Sequence, residues 1–305
     1  MNLRRPGRSK IRAAKFFPFA ALPVVFFLFV LLFAGLTLFS APGEAAWNEE
    51  NLERIPRDRE AFSFVVLGDT QGPNSKFPRV LPAILKEKDL LFAFDLGDLV
   101  DYATEAEYED TFFRHVRGLS LPFLTCASNH DHFKSKNAAL YSRLFGSPHY
   151  YAFQVGSTSF IVLDNGQDWS LTEEQFLWLE GELEKSRASA RRFLMMHRPL
   201  ADPRPNRKNL HDMSGKPENV RRLNALADKY GVTMIFTGHI HSFYTGRWGQ
   251  TPFIITGGGG GGLYDRGTPA SFHHYMRVDV LPDGRVKYSA VKVDVNVKVN
   301  VKNQK

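Results

Sequence analysis

The stretch FSFVVLGDTQ, residues 62–71, decides the fold. Phe62 to Leu67 is a short apolar run rich in β-formers, which predicts a buried strand. It stops abruptly at Gly68-Asp69-Thr70-Gln71. The same pattern recurs downstream. Leu91 to Asp95 (LFAFD) predicts a second buried strand, ending at Gly97-Asp98-Leu99-Val100-Asp101. Leu121 to Thr125 predicts a third, ending at Ser128-Asn129-His130-Asp131. Phe193 to Met196 ends at His197, and Thr233 to Phe236 ends before Gly238-His239-Ile240-His241. Helical periodicity fills the intervals at 79–88, 104–117, 172–186 and 219–229, with Thr172 and Gln175 in a capping-box pattern. Residues 150–155 and 158–163 read as a hairpin turning at Gly156-Ser157. Beyond 241 the pattern is mostly strands, at 242–247, 253–256, 276–280 and 285–293. This alternation predicts an α/β fold.

Composition narrows the alternatives. Hydrophobic residues at 43% and charged residues at 23% exclude a disordered chain. A single cysteine, Cys126, excludes an intrachain disulfide framework and any Cys-rich zinc or iron–sulfur site. Cys126 itself lies on an apolar strand and reads as core. The net charge of +7 belongs mainly to the head: six cations precede residue 16, against one acid, Glu44, before residue 46. The body is left at about +2, with no electrostatic footprint for nucleic acid.

That head, residues 1–45, has its own logic. Phe16 to Phe39 is free of charge over 24 residues, enough for a tilted helix across a bilayer. The cations before it hold the N-terminus in the cytoplasm and send the body across. Two readings remain open: a retained signal anchor, favoured by length, and a cleaved signal peptide, favoured by Gly43 and Ala45. Both place the body outside the cytoplasm. Residues 46–60 read as a polar linker, 61–293 as the folded domain and 294–305 as a tail. The Val alternation of Val291 to Val301 fits either a strand or a disordered end.

Five predicted strands thus each end at a polar cluster. In α/β sheets, ligands gather at the carboxyl ends of strands, where loops converge. The clustered side chains are O and N donors without thiolate, which suits hard or borderline cations such as Mn²⁺, Fe or Zn²⁺. A pair of such ions needs a bridging carboxylate. It lowers the pKa of a shared water and clamps a phosphoryl group for in-line attack.

GDTQ at 68–71, GDLVD at 97–101, SNHD at 128–131, MMHRP at 195–199 and GHIH at 238–241 follow in order. Together they resemble the signature of the calcineurin-like metallophosphoesterase superfamily. The resemblance implies a four-layer α/β/β/α sandwich with two divalent ions at the strand ends. It implies that Asp69, Gln71 and His241 bind the first metal, Gln71 through its amide oxygen, and that Asp98 bridges. It implies that Asn129, His197 and His239 bind the second. His130 is then the general acid, with Asp101 as the acid that orients it and raises its pKa. The implied activity is hydrolysis of a phosphomonoester or phosphodiester by metal-activated hydroxide. The alternative is a non-catalytic, membrane-tethered metal-binding or interaction module.

Two departures stand out. Gln71 occupies a position where the family often has His, a stronger ligand than a neutral amide. Ser128 replaces the usual Gly, so the turn must form without glycine's freedom. The polar stretch 201–218 is long for a simple connection. Within it Arg204, Arg207, Lys208 and His211 read as an anion grip or a solvated loop. Gly257 to Gly262 lacks a following Lys-Ser/Thr and is no P-loop. Close backbone approach to the site explains the run better than a linker. His132 is a candidate substrate contact, whereas His115, His149, His273 and His274 read as structural or surface residues.

Overall fold

The computed structural model describes residues 46–133, 138–205 and 211–296. The expected anchor or signal segment, Arg207, Lys208 and the tail beyond 296 lie outside the described residues. Among the described residues no helix is long and apolar enough to cross a membrane.

Two sheets form the centre. The first contains β1 (Phe62–Leu67), β2 (Leu90–Asp95), β3 (Phe123–Thr125), β10 (His274–Val280) and β11 (Val286–Lys292), in the order β11-β10-β1-β2-β3. The second contains β4 (Tyr151–Val155), β5 (Thr158–Val162), β6 (Arg191–Met195), β7 (Met234–Thr237), β8 (Phe243–Trp248) and β9 (Thr251–Thr256), in the order β4-β5-β6-β7-β9-β8. β1, β2 and β3 are mutually parallel, as are β5, β6, β7 and β9. The strand ends that carry chemistry therefore leave each sheet on one side.

Side-chain alternation explains the layering. Phe62, Phe64 and Val66 of β1 face the other sheet, where they meet Phe160, Phe193 and Phe236. Val65 and Leu67 face the opposite way, against α2 (Phe77–Ile84) and the helical run from Glu105 to Val116. On the second sheet Leu194 and Ile235 pack under α6 (Glu173–Lys185) and α7 (Pro217–Lys229). Three apolar layers between four structural ones give the expected α/β/β/α sandwich. The hairpin at Gly156 forms as read, with Val155 opposite Thr158. Cys126 is fully buried.

Several expectations change. Residues 46–60 are not all linker: α1 (Trp47–Glu53) docks on the folded body. Its polar residues cover the open edge of β3. Asn48 Oδ1 accepts from the Thr125 amide at 3.0 Å, and Asn51 Oδ1 accepts from the Phe123 amide at 3.0 Å. Trp47 Nε1 donates to the Phe123 carbonyl at 2.7 Å. Amide side chains here replace a neighbouring strand, so both asparagines are buried. At the other end Val295 is buried against the α2 side, and Arg79 donates to its carbonyl, so the domain runs past 293. The Thr172 hydroxyl accepts from Gln175 N–H at 3.2 Å, but the Gln175 side chain does not close the box. It clamps Asp164 instead, accepting from its N–H and donating to its carbonyl, each at 2.8 Å. The helix expected at 104–117 passes through a π-helical turn at Glu109–Phe113.

Replacing Asn48 by Ala strips the Thr125 amide of its partner inside the protein. A buried unsatisfied donor costs about 1–3 kcal/mol. Denaturant unfolding of Asn48→Ala is expected to show that loss, and unchanged stability would contradict the edge-capping role of α1.

Candidate metal centre

Asp69 follows β1, Asp98 follows β2, and His239 follows β7. Each sits in the left-handed region, with φ of 63°, 56° and 66° respectively. Such backbone costs about 1–3 kcal/mol in a residue with a side chain and gathers at functional sites. Here it turns three side chains back over the strand ends. The two sheets meet closely at this point. A Cβ on Gly238 would lie 2.6 Å from Asp69 Oδ2, and one on Gly257 would lie 2.7 Å from the same atom. The glycine run therefore approaches the site as expected, and Gly261 N–H also donates to the Asp69 carbonyl at 2.7 Å.

Two ligand groups converge. Asp98, His197 and His239 form one, and Asp69, Asp98 and His241 form the other, each within 4.8 Å. Asp98 is common to both. His197 Nε2 lies 3.3 Å from Asp98 Oδ1 and 3.0 Å from His239 Nδ1. His241 Nε2 lies 3.2 Å from Asp69 Oδ1. The tautomers are set from behind, because His197 Nδ1–H donates to the Leu96 carbonyl at 2.8 Å and His241 Nδ1–H to the Gly262 carbonyl at 2.7 Å. Both Nε2 lone pairs then face inward, as metal ligation requires. The His239 amide donates to both Asp69 oxygens, at 2.9 and 2.8 Å.

Two buried oxygens fit a cation. Asp98 Oδ1 and Asn129 Oδ1 have no hydrogen-bond partner, although buried polar atoms are almost always paired. Charge points the same way. Burial opposes ionisation of Asp98, yet His197, His130 and His239 beside it hold its carboxyl well below the usual range. Burial likewise works against a charged His241, but Asp69 raises it to about 9. A site this rich in carboxylate attracts positive charge, whether protons or metal ions.

The remaining expected residues are placed as follows. His130 Nε2 is 3.9 Å from Asp98 Oδ2, and its side chain keeps a third of its surface in solvent. Asp101 does hold His130, but through its backbone carbonyl, which accepts from Nδ1 at 2.8 Å. Burial and the neighbouring Glu107 raise the Asp101 carboxyl above its ordinary value. Glu107, which sequence reasoning passed over, fixes this loop by accepting from the Asp101 and Tyr102 amides at 2.6 and 2.9 Å. Gln71 lies against Asp98, and with its amide oriented so that nitrogen faces these acceptors it donates to the Asp98 carbonyl and Oδ2, each at 3.2 Å. Ser128 N–H and Oγ both bond to Asp131 Oδ2, at 2.8 and 2.6 Å, so a side-chain turn does the work of the absent glycine.

Arg204 is not a free anion grip. It pairs with Asp202 at 2.7 Å and lies over the Tyr264 ring. His211 does reach the site, its ring 5.3 Å from that of His239. His132 turns to Asp164 instead of toward substrate space. Arg198, Trp169 and Tyr264 also escaped the sequence reading. Arg198 Nη1 donates to His239 Nε2 at 2.8 Å, and its guanidinium stacks 3.8 Å from the Trp169 ring centroid. Tyr264 stacks on His241 at 4.4 Å. The Arg in MMHRP was a visible signal, since it adjoins His197 in sequence. Trp169 and Tyr264 carried none. A cleft of about 720 Å³, lined by Gln71, Asp101, His241, Gly261 and Arg266 among others, opens beside the centre.

The model of the calcineurin-like phosphoesterase family matches residues 62–243, more than half of the chain. The mouse protein "Acid phosphatase type 7" is 27% identical over 210 residues, covering 58% of this chain and 46% of the mouse protein. The chain thus spans about half the length of this relative. "Probable glycerophosphodiester phosphodiesterase GpdQ" from Arcobacter nitrofigilis is 27% identical over 221 residues, covering 67% of this chain and 71% of that protein. Among solved structures, purple acid phosphatase PPD1 from yellow lupin superposes with a TM-score of 0.64 at 17% identity, covering 78% of this chain and 52% of that one. With the motif order, the two-sheet sandwich and the shared ligand cluster in agreement, the chain belongs to the calcineurin-like phosphoesterase family.

Proposed function

We propose that this protein is a dinuclear-metal phosphoesterase acting outside the cytoplasm on a phosphomonoester or phosphodiester. The observation that carries the reading is the pair of ligand groups sharing Asp98, together with the partnerless oxygens of Asp98 and Asn129. Asp69, Asp98 and His241 would hold one divalent ion, and Asp98, Asn129, His197 and His239 the other. The donor set suits Mn²⁺, Fe or Zn²⁺. When bound, such a pair supplies Lewis-acid charge and a water of lowered pKa for attack on phosphorus.

The chain's own residues do the rest. His130, partly in solvent and held by the Asp101 carbonyl, is placed to pass a proton to the departing alkoxide oxygen. Gln71 steadies Asp98. With an ion on Nδ1, His239 would carry its ring proton on Nε2, and the Arg198 bond to that atom would be given up. A guanidinium is donor-only, so it cannot bond to that nitrogen once protonated. The anionic oxygens of a phosphoryl group are then its natural acceptors. The compartment follows from the cationic, apolar head.

Asp98→Ala and His239→Ala are expected to lose bound metal and to lower kcat on p-nitrophenyl phosphate and its bis ester by about 10²–10³ or more. Full turnover by either variant would refute the assignment. Arg198→Ala is expected to keep its metal while kcat/KM falls about 10- to 100-fold, the loss of a charge-assisted hydrogen bond of about 1.5–3 kcal/mol. An unchanged kcat/KM would remove Arg198 from phosphate binding. Protease added outside intact cells should digest a C-terminal tag on the full chain, and complete protection would place the body in the cytoplasm.

A further inference from the structure

A second cluster lies apart from the ligand set above. His132 Nε2 and His149 Nδ1 approach one oxygen, Asp164 Oδ2, at 2.8 and 3.1 Å, and the three ligand atoms lie within 4.8 Å of one another. We propose that His132, His149 and Asp164 form a third divalent-metal site, of the zinc type, which ties the loop bearing Asn129 and His130 to the end of β5. It requires no part of the activity proposed above.

The proton positions can accommodate an ion. The Ser142 hydroxyl donates its single proton to the Ala138 carbonyl at 3.1 Å. Ser142 Oγ also contacts His149 Nε2, and with its proton directed to the carbonyl it is able to accept from Nε2–H. The tautomer with the proton on Nε2, which an ion on Nδ1 requires, therefore has an acceptor in place.

The site is also built to stay in place. Asp164 Oδ1 accepts from Gly166 N–H at 3.0 Å, while Gln175 clamps the Asp164 main chain from both sides. Ligands about 2.0–2.1 Å from a tetrahedral ion stand about 3.3 Å apart, so the 2.8 and 3.1 Å spacings here need only open slightly to admit one. Two imidazoles and a carboxylate with one open position form a recurrent zinc donor set. The Ser142 contact on the far nitrogen of His149 is the outer partner that ligating histidines use. The side chains of His132 and His149 keep 8% and 17% of their surface exposed, enough for an ion to enter. The geometry has a consequence for the neighbouring centre. A Cβ on Gly166 would lie 2.3 Å from the Ser128 carbonyl carbon and 2.8 Å from the Asn129 amide, so the β5 end and the Asn129 loop already touch. An ion at Asp164 and His132 would lock that contact.

The test counts ions. The full chain, purified in detergent, is stripped with chelator, reloaded with Zn²⁺, dialysed and assayed by inductively coupled plasma mass spectrometry. Three zinc ions per wild-type chain are expected. His149→Gln and, independently, Asp164→Asn should each hold two. Asp98→Ala combined with His239→Ala should keep an ion that disappears when His149→Gln is added. Co²⁺ loading provides a second readout, in which the tetrahedral absorption retained by the Asp98/His239 double variant vanishes with His149→Gln. Only two ions in the wild type, or an equal count in wild type and both single variants, would overturn the proposal. A His149-dependent ion in a protein without phosphatase activity would sustain this site and sink only the catalytic reading.

Discussion

Two buried carboxylates, Asp69 and Asp98, govern this structure. Each stands at the end of a strand of the first sheet, removed from water. Burying an ionised carboxylate is costly unless it is paired and hydrogen-bonded. Compensation comes from the second sheet, through His197, His239 and His241. The electrostatic requirement thus falls where the sheets meet, and the phenylalanine-rich layer between them positions both halves of the cluster.

That requirement explains the unusual backbone nearby. Asp69, Asp98 and His239 adopt left-handed conformations that would be avoided elsewhere, and Gly238 and Gly257 let the second sheet close onto Asp69. Strain of this kind persists only where surrounding packing over-determines it. The three apolar layers supply that packing. The same rigidity orients His197 and His241, each held from behind by a backbone carbonyl.

The candidate ligands were legible because they are chemically distinctive residue types that end predictable strands. Asp69, Asp98, Asn129, His197, His239 and His241 all announce themselves by type and by position after an apolar run. Residues acting through their main chain or through ambiguous chemistry did not. Asp101 holds His130 by a carbonyl, which every residue possesses. Asn48 and Asn51 looked like linker residues, since polarity normally marks exposure, yet they satisfy the edge of β3. Arg204 reads in sequence as an anion grip or part of a solvated loop, but it is buried and paired with Asp202, two residues before it. Gln175 suggested a capping box, but its side chain serves Asp164.

What the amino-acid order determined alone is local: strand and helix positions, the ligand types, and the family pattern they compose. Apolar periodicity and turn chemistry act over a few residues, so they can be read without a partner. Tertiary structure decided which side chains share a proton, a carboxylate or a ring face. The meeting of His132 and His149 on Asp164, and of Arg198 with His239 and Trp169, depends on how loops fold over two sheets. No spacing along the chain encodes such a distance, because it is set by packing among segments tens of residues apart.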